Sequence, residues 1–451
     1  MGGNDFDHTT IDTECQDSPR GGAVHQNMNI LVVGSGGREH AIVRAFSKDP
    51  RIDSILCANG NAGIAEAAVC VNISPTDIPG LVDLALERNV DLTFVGGETS
   101  LALGIVDEFT KHDLRIIGPG REAARLESSK GFAKDFMARY SVPTARYATA
   151  ASTQDAIERL GSGEFGHPDQ PVVVKADGLA AGKGVVVARD RAEAVEAIEG
   201  MAELVGEDAA GKIVLEECLS GKEVSLLMFA DGEQFALMPA TRDHKRLGDG
   251  DTGPNTGGMG TITDDSLLSP GEISEIAEKM IRPTLRGCIE EGMPFRGVLF
   301  LGLMMTSDGP RLLEYNVRFG DPETQAILVR LETSLLDICE AMLKGSLASL
   351  DIRWRKGSSA CVVLASEGYP VRPRTGDLIS GLHEARLLPD VELFHAGTSL
   401  SPVGQIITAG GRVLGVTASG SDLGSAISRT YEAVSLIDWP GMRFRRDIGA
   451  V

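Results

Sequence analysis

The strongest constraint on the fold is an alternation of short β-rich runs and helical stretches that starts at Met28. Buried strands are indicated at 30–33, 54–58, 91–95 and 115–117, and helices at 40–47, 81–88 and 103–111. Strands that alternate with helices in this way form parallel sheets with helices on their faces. We therefore predict an N-terminal, doubly wound parallel sheet that ends near Gly118.

A different pattern follows this first unit. Strands are predicted at 171–175 and 185–188 with a glycine loop directly between them, and a helix is predicted only afterwards, over 191–204. Asp231-Gly232 and Asp308-Gly309 are turn signals between pairs of strands. After Lys356 short β-rich runs alternate with glycine turns, which indicates a small β-rich domain. A loop between two strands is the geometry of a lid.

Composition limits the class of protein. A chain of 451 residues is long enough for three or four units of about 100–150 residues, and no apolar run approaches the ~18 residues of a membrane span. The formal net charge of −21 argues against a nucleic-acid backbone as partner. The acidic surface fits either a salt-adapted source or an ordinary acidic protein. The seven scattered cysteines form no C-x-x-C pair and predict reduced, mostly buried thiols in the cytoplasm.

The first glycine-rich motif is residues 34–40 (GSGGREH), which follows a strand and opens a helix. Such a loop can hold an anion with its backbone N–H groups. The dinucleotide fingerprint requires glycine where Glu39 stands, and no acid ends the second strand to hold a ribose. A nicotinamide enzyme is therefore disfavoured, and a phosphate loop and a structural tight turn remain open.

The second motif is residues 175–185 (KADGLAAGKGV). Three residues separate Gly178 from Gly182, and Gly184 follows Lys183, so the segment is not a Walker A loop. It offers a Gly/Ala flap that carries a lysine, preceded by Lys175 on a strand. A buried lysine is costly without an anion, and we interpret the segment as a phosphate lid.

Two further segments carry polar side chains. On the strand around residues 313–317, Glu314 and Asn316 share one face because the side-chain period of a strand is two. Adjacent oxygen ligands suit Mg²⁺ that bridges nucleotide phosphates, and Arg318 could clamp a carboxylate or phosphate. Residues 251–260 (DTGPNTGGMG) are too glycine-rich for a core and indicate a substrate-facing loop. His244 is interpreted as a hydrogen-bonded structural histidine.

From about Met28 to Gly449 these motifs, in this order, resemble the phosphoribosylamine–glycine ligase family of the ATP-grasp superfamily. The resemblance rests on GSGGREH, GNAG at 60–63, KADGLAAGKGV, DHKR at 243–246, DTGPNTGGMG and NVRFGDPETQ at 316–325. It implies an α/β multidomain fold with an ATP-grasp core, a mobile lid and a C-terminal β-rich domain. The implied boundaries are a tail at 1–27, an N-terminal domain at 28–127, a core at 128–147 and 218–352, a lid at 148–217, and a C-terminal domain at 353–451.

The resemblance also implies the reaction. ATP, glycine and 5-phosphoribosylamine would give ADP, phosphate and glycinamide ribonucleotide through glycyl phosphate, as a step of de novo purine biosynthesis in the cytoplasm. The implied ATP-binding residues are Lys130, Lys175, Gly182, Lys183, Gly184, Glu216, Glu217, Leu219 and Glu223. The implied Mg²⁺ or Mn²⁺ ligands are Glu314 and Asn316. The implied residues for glycine and the acyl phosphate are Arg318, Asp243, Lys245, Asn255, Thr256, Gly257 and Gly258. The implied contacts of phosphoribosylamine are Gly36, Gly37, Asn61 and Glu98.

Two places depart from the pattern expected for that family. Gly96-Gly97-Glu98 stands where Gly-Pro-Glu is expected, and Ala58-Asn59 stands where Pro-Gly is expected before the GNAG element. Both concern the ribosylamine contacts and leave the ATP site untouched. The alternatives are an ATP-grasp enzyme with another substrate, a non-catalytic ATP-binding regulator and, least favoured, a nicotinamide oxidoreductase. The chain is expected to act on small molecules as a monomer or homodimer.

Overall fold

The computed structural model describes residues 1–2, 27–179, 184–206 and 210–450. The predicted tail at 1–27 therefore falls almost wholly outside the described residues. The first sheet has five parallel strands in the order β3-β2-β1-β4-β5. Its strands are β1 (Met28–Gly34), β2 (Ile52–Asn59), β3 (Val69–Val71), β4 (Leu92–Val95) and β5 (Ile116–Ile117). The predicted parallel sheet is confirmed.

Helices cover this sheet and lead out of it. They are α1 (Gly37–Phe46), α2 (Ile78–Glu87), α3 (Glu98–Ala102), α4 (Ile105–Lys111), α5 (Arg121–Ser128) and α6 (Lys130–Arg139), with a short 3₁₀ turn at Ile64–Glu66. The helix predicted at 103–111 begins two residues later than expected. Gly104, with φ of +89°, lies in the left-handed region and separates α3 from α4.

The strands on either side of the second motif belong to a separate antiparallel sheet, which we call the lid sheet, in the order β6-β9-β7-β8. Its strands are β6 (Tyr147–Ala150), β7 (Val172–Ala176), β8 (Val185–Ala188) and β9 (Ile213–Glu217), and its helices are α7 (Thr153–Gly161), α8 (Arg191–Glu199) and α9 (Met201–Val205). Strands β7 and β8 pair directly, as predicted. The prediction of a single helix over 191–204 was wrong, because Gly200, a weak helix former, separates two shorter helices.

The central sheet is antiparallel and contains nine strands, in the order β17-β16-β10-β12-β15-β18-β22-β19 with β11 paired to β10. Its strands are β10 (Lys222–Asp231), β11 (Phe235–Leu237), β12 (Thr241–Asp243), β15 (Gly260–Thr263), β16 (Arg296–Thr306), β17 (Gly309–Asn316), β18 (Ser358–Ala365), β19 (Val391–His395) and β22 (Arg412–Gly420). Two small hairpins accompany it: β13 (Arg246–Gly248) with β14 (Thr252–Asn255), and β20 (Thr398–Leu400) with β21 (Ile406–Thr408). The two hairpins predicted at Asp231-Gly232 and Asp308-Gly309 are both present.

The remaining helices pack on this sheet. They are α10 (Pro270–Ile276), α11 (Arg282–Glu290), α12 (Glu323–Leu328), α13 (Leu335–Lys344), α14 (Leu382–Arg386) and α15 (Leu423–Val434), with a π turn at Ala277–Ile281 and a 3₁₀ turn at Leu347–Ser349. The C-terminal segment is rich in β-structure, as expected. Its strands extend the central sheet, because β18 pairs with β15. The domain boundaries stay a prediction.

Large apolar clusters lie between these layers. One joins the first sheet to α5, α6 and the central sheet, and a smaller one fills the lid sheet with its helices. The six cysteines within the described ranges are all free, and Cys57, Cys288, Cys339 and Cys361 are buried. No helix in the described ranges is long and apolar enough to cross a membrane.

Candidate active site

Glu314, on the edge strand β17, is subject to the charges of several cationic side chains. Tyr315 is buried, whereas Glu314 and Asn316 on either side of it are half-buried, so the predicted alternation holds. Burial raises the pKa of Glu314, but Lys245, Lys175 and Lys130 outweigh it and lower the pKa below its ordinary value. Glu314 is therefore an ionised carboxylate surrounded by lysines.

Lys175, on β7 of the lid sheet, is buried beside Glu216 on β9. The Lys175 Nζ lies 2.7 Å from Glu216 Oε1 and donates to the Leu313 carbonyl of β17 at 3.4 Å. The other carboxylate oxygen, Glu216 Oε2, accepts from the Nζ of Lys134 on α6 at 2.9 Å. Glu216, predicted to hold adenosine, is therefore held between two lysines and links the lid sheet to α6.

Lys130 begins α6 at the place where the glycine hairpin starts. Its Nζ donates to the Gly178 carbonyl at 3.2 Å, and its backbone N–H donates to the Asp177 carbonyl. The Asp177 carboxylate accepts from the Gly131 N–H at 2.6 Å and from the Ser129 hydroxyl. Burial lowers the pKa of Lys130. Asp177 and Gly178, at the start of the flap, are thus attached to the N-terminus of α6.

Of the three flap residues predicted to bind ATP, Gly182, Lys183 and Gly184, only Gly184 is described. Its carbonyl accepts from the Ala176 N–H at 2.8 Å, which closes the base of the β7–β8 hairpin. Gly182 and Lys183 lie outside the described residues. In the predicted adenosine hinge, Glu217 accepts from the Arg146 backbone N–H at 2.8 Å and Leu219 is half-buried.

Arg318 follows β17 and is enclosed by two carboxylates. Its Nη2 lies 2.7 Å from Glu127 Oε1, and its Nε donates to Glu98 Oε2 at 3.1 Å. The other Glu127 oxygen accepts from the Val317 N–H at 2.8 Å. Burial raises the pKa of Glu98, but Arg318 and Arg38 outweigh it and lower the pKa to about 2. The guanidinium is therefore fixed by α3 and α5 at the edge of the first sheet.

Asp243, Lys245 and Glu223 form a more open group beside Glu314. Lys245 Nζ lies 2.8 Å from Glu223 Oε2, and both side chains are 46% exposed. Burial raises the pKa of Asp243 despite the charge of Lys245, whereas Asp243 raises the pKa of Lys245. Lys245 is a cation next to the predicted metal ligand Glu314.

The predicted substrate loop 255–258 folds against the C-terminal part of the chain. Thr256 donates its backbone N–H and its hydroxyl to the Lys245 carbonyl, both at 2.8 Å, and its Oγ1 accepts from the Gly258 N–H at 3.0 Å. The Gly257 N–H donates to the Tyr369 hydroxyl at 3.1 Å. A cavity of about 250 Å³ borders this loop. It is lined by Asn255, Thr256, Gly257, Tyr369, Pro370, Pro373, Gly411 and Arg412. The loop is therefore fixed at one side and faces open space at the other.

The first glycine loop is closed by a carboxylate of its own chain. The Gly36 N–H donates to Glu39 Oε2 at 2.6 Å, and the Glu39 side chain is 2% exposed. A Cβ at Gly34 or at Gly96 would lie within 2.6 Å of Glu39 atoms, so these glycines make room for that side chain. The Gly36 N–H is thus paired within the chain, and the predicted contact of Gly36 with substrate stays a prediction. A Cβ at Gly37 would lie 2.6 Å from the amide nitrogen of Gln325 on α12.

Asn61 uses its whole side chain within the protein. Its Nδ2 donates to the carbonyls of Ser35 and His395, and its Oδ1 accepts from the N–H groups of Gly63 and Ile64 at 2.9 Å. It therefore joins the first sheet to β19. Its predicted contact with substrate stays a prediction.

His244 is structural, as interpreted from the sequence. It is 8% exposed, its Nε2 accepts from the Gly449 N–H at 3.3 Å, and burial lowers its pKa to about 4.

Three side chains of the site were not identified from the sequence. Lys134 and Glu127 lie on helices, where a charged residue usually faces solvent. Arg412 donates to the carbonyls of Gly257 and Asp321 and pairs with the Asp321 carboxylate at 3.0 Å. Within the described residues, no group of three or more His, Cys, Asp or Glu could hold a metal ion.

The lid sheet contacts the central sheet through the Lys175 Nζ and the Leu313 carbonyl, and the match to an ATP-grasp domain over 128–324 assigns this part of the chain to the ATP-grasp class. Three domain descriptions of one family match the chain: the N domain at 28–127, the ATP-grasp (A) domain at 128–324 and the C domain at 359–451 of phosphoribosylglycinamide synthetase. The chain belongs to the phosphoribosylglycinamide synthetase family, and it is an ATP-dependent ligase.

Comparisons with individual relatives support the same family assignment. The chain is 43% identical over 425 residues to the phosphoribosylamine–glycine ligase of Brucella melitensis, covering 94% of this chain and 97% of that one. It is 44% identical over 424 residues to the enzyme of the same name from Caldanaerobacter subterraneus, covering 94% and 100%. The crystal structure of phosphoribosylamine–glycine ligase from Thermotoga maritima superposes with a TM-score of 0.80 at 33% identity, covering 93% and 100%. A biotin carboxylase domain from Hydrogenobacter thermophilus, at 17% identity and a TM-score of 0.71, shares the fold and covers 92% and 91%.

Proposed function

We propose that the chain joins glycine to 5-phosphoribosylamine at the expense of ATP, giving glycinamide ribonucleotide, ADP and phosphate. The observation that carries this proposal is the ionised Glu314 among Lys130, Lys175 and Lys245, beside Asn316. Such a group suits a polyanion and a divalent cation together. The printed names of the relatives supply the two other substrates.

The reaction proceeds in two displacements. A glycine carboxylate oxygen attacks the γ-phosphorus, and the bond to the β-phosphate oxygen breaks, which gives glycyl phosphate and ADP. The ribosylamine nitrogen then attacks the glycyl carbonyl carbon, inorganic phosphate leaves, and the nitrogen loses a proton. Both displacements need alignment and charge neutralisation more than proton transfer by the protein.

The lysines and the arginine supply that neutralisation. Lys130 and Lys175 bind the ATP phosphates, and the flap at 178–184 closes over them and excludes water, which would otherwise hydrolyse glycyl phosphate. Glu216, Glu217, Leu219 and Glu223 hold adenosine. Arg318, Asp243 and Lys245 orient glycine and the acyl phosphate. Support for the role of Arg318 comes from its rigid mounting between Glu98 and Glu127.

Glu314 and Asn316 suit Mg²⁺, or Mn²⁺ in its place. Mg²⁺ is commonly held by one or two protein oxygens together with waters and substrate phosphates, so two ligands are sufficient. When bound, the metal neutralises charge on the phosphates.

The second substrate is placed beside Gly36, Gly37, Asn61 and Glu98, with the loop 255–258 on the other side of the acyl phosphate. Support comes from Arg412, which contacts both Gly257 and Asp321, while Asp321 lies against Gly36 and Gly37. The reaction is placed in the cytoplasm, and the chain acts as a monomer or homodimer.

The test is ADP release in Mg²⁺ and salt, with glycine and with phosphoribosylamine generated in situ. We expect turnover that requires both substrates, and a loss of about 100-fold or more for Glu314→Gln. The matched control is Glu275→Gln, which removes the carboxylate of a surface pair with Lys279 and should leave turnover unchanged. ATP binding without turnover would favour a regulator, and turnover with another acid or amine would change the substrate.

A further inference from the structure

The buried part of the proposed nucleotide site contains two cations, Lys134 and Lys175, and one anion, Glu216. Lys134, Lys175 and Glu216 are 2%, 5% and 1% exposed, and each lysine contacts a different oxygen of the carboxylate. A buried charge is costly unless it is paired. The group therefore carries one positive charge more than its single carboxylate neutralises.

Lys134 is anchored independently of the lid sheet. Its Nζ donates to Thr144 Oγ1 at 2.7 Å, and the Thr144 hydroxyl donates to the Leu312 carbonyl of β17 at 2.6 Å. Lys175 and Glu216, in contrast, belong to adjacent strands of the lid sheet, β7 and β9. The Lys134–Glu216 pair is thus a connection from α6 and β17 to the lid.

This arrangement determines how readily the Lys175 ammonium group can bind a phosphate. With Lys134 present, Glu216 divides its charge between two ammonium groups, and the three residues together remain cationic. Without Lys134, Glu216 and Lys175 would form a closed neutral pair in a medium of low dielectric constant, where such a pair is held strongly. A phosphate would then have to compete with Glu216 for Lys175.

We infer that Lys134 is a positioning residue for ATP: it occupies one oxygen of Glu216 and so keeps Lys175 available to a phosphate. The inference rests on the proposed nucleotide site. Lys134 itself contacts Glu216 and Thr144 and acts through them. If Lys134 were only a structural bridge, its loss would lower the stability of the fold and leave the affinity for ATP unchanged.

The experiment measures ATP affinity directly, by calorimetry of the full chain with ATP and Mg²⁺ in the absence of glycine. Lys134→Met gives an unbranched apolar side chain one atom shorter and removes the charge. We expect the dissociation constant for ATP to rise about ten-fold, with the KM for glycine unchanged. Lys134→Arg, which keeps the charge, should restore affinity to within about three-fold of the wild type. An unchanged affinity in folded Lys134→Met would overturn the inference.

A second variant covers the case in which Lys134→Met does not fold. Thr144→Val removes the acceptor that anchors Lys134 and keeps all three charges. It should weaken ATP binding about three-fold, again without a change in the KM for glycine, and an unchanged affinity would overturn the inference. If the wild-type chain itself did not bind ATP, the proposed nucleotide site would fail, and the inference would fall with it.

Discussion

Two lysine–glutamate pairs of the active site have nearly the same separation and differ in burial. Lys175 and Glu216 meet at 2.7 Å with side chains 7% and 2% exposed, whereas Lys245 and Glu223 meet at 2.8 Å with both side chains 46% exposed. Water screens the second pair and not the first. Distance alone therefore does not indicate what an ion pair contributes.

The difference in burial fits the different roles of the two pairs. The buried pair joins two strands of the lid sheet and is fixed by packing. The exposed pair lies between β10 and the segment after β12, where the side chains can rearrange at small cost when substrates arrive. A rigid cation and an adjustable one thus both act on the charge of Glu314.

The largest effect is expected from Glu216→Gln. This change leaves the ammonium groups of Lys134 and Lys175 buried without a counter-charge, so the free energy of unfolding should fall by about 3 kcal/mol. Urea unfolding followed by circular dichroism measures it. ATP at saturating concentration should restore part of the loss, because its phosphates supply the missing negative charge. A change below about 0.5 kcal/mol would remove the distinction between the two pairs.

An intermediate effect is expected from Glu98, whose pair with Arg318 has side chains 27% and 15% exposed. The pKa of Glu98 is lowered from 4.5 to about 2 in the folded chain. A carboxyl group with a lowered folded pKa stabilises the fold above its unfolded pKa, and this stabilisation is lost as the pH falls from about 4.5 towards about 2. This lowering of the pKa corresponds to at most about 3.4 kcal/mol at neutral pH, and because water partly screens the pair the expected contribution is about 1 to 2 kcal/mol.

Glu98→Gln isolates this contribution from that of the other carboxyl groups. The difference in unfolding free energy between the wild type and the variant should be largest at pH 7 and should shrink as the pH is lowered through 4.5. Urea unfolding at pH 7, 4 and 3 provides the comparison. A difference independent of pH would assign the stabilisation to packing instead of to charge.

The sequence predicted the parts of this site that depend on local pattern. The period of a strand put Glu314 and Asn316 on one face, and the strand–glycine–strand order of residues 172–188 indicated the β7–β8 hairpin of the lid. Glu39, which breaks the dinucleotide fingerprint, correctly disfavoured a nicotinamide site. These inferences needed only neighbours in the chain.

The missed residues depend on partners that are distant in sequence. Lys134 meets Glu216 across 82 positions, and Glu127 meets the Val317 N–H across 190. Each lies on a helix whose own pattern offers a solvent-facing interpretation, and only tertiary packing decides that the charge is buried. Glu216 was assigned to adenosine from its place in a motif, and its pairing with two lysines could not be read from that motif.

The smallest effect is expected from Glu223→Gln, the same substitution as at Glu216 but in the exposed pair. The Lys245 ammonium group can turn to water when its partner is removed, so the free energy of unfolding should change by less than about 0.5 kcal/mol. Raising the salt concentration should reduce even that difference, because salt screens exposed pairs and barely affects buried ones. Urea titrations of both glutamine variants at low and high salt test this directly. A loss at Glu223 as large as that at Glu216 would show that Lys245 is held as rigidly as Lys175, and the adjustable role given to it would then be wrong.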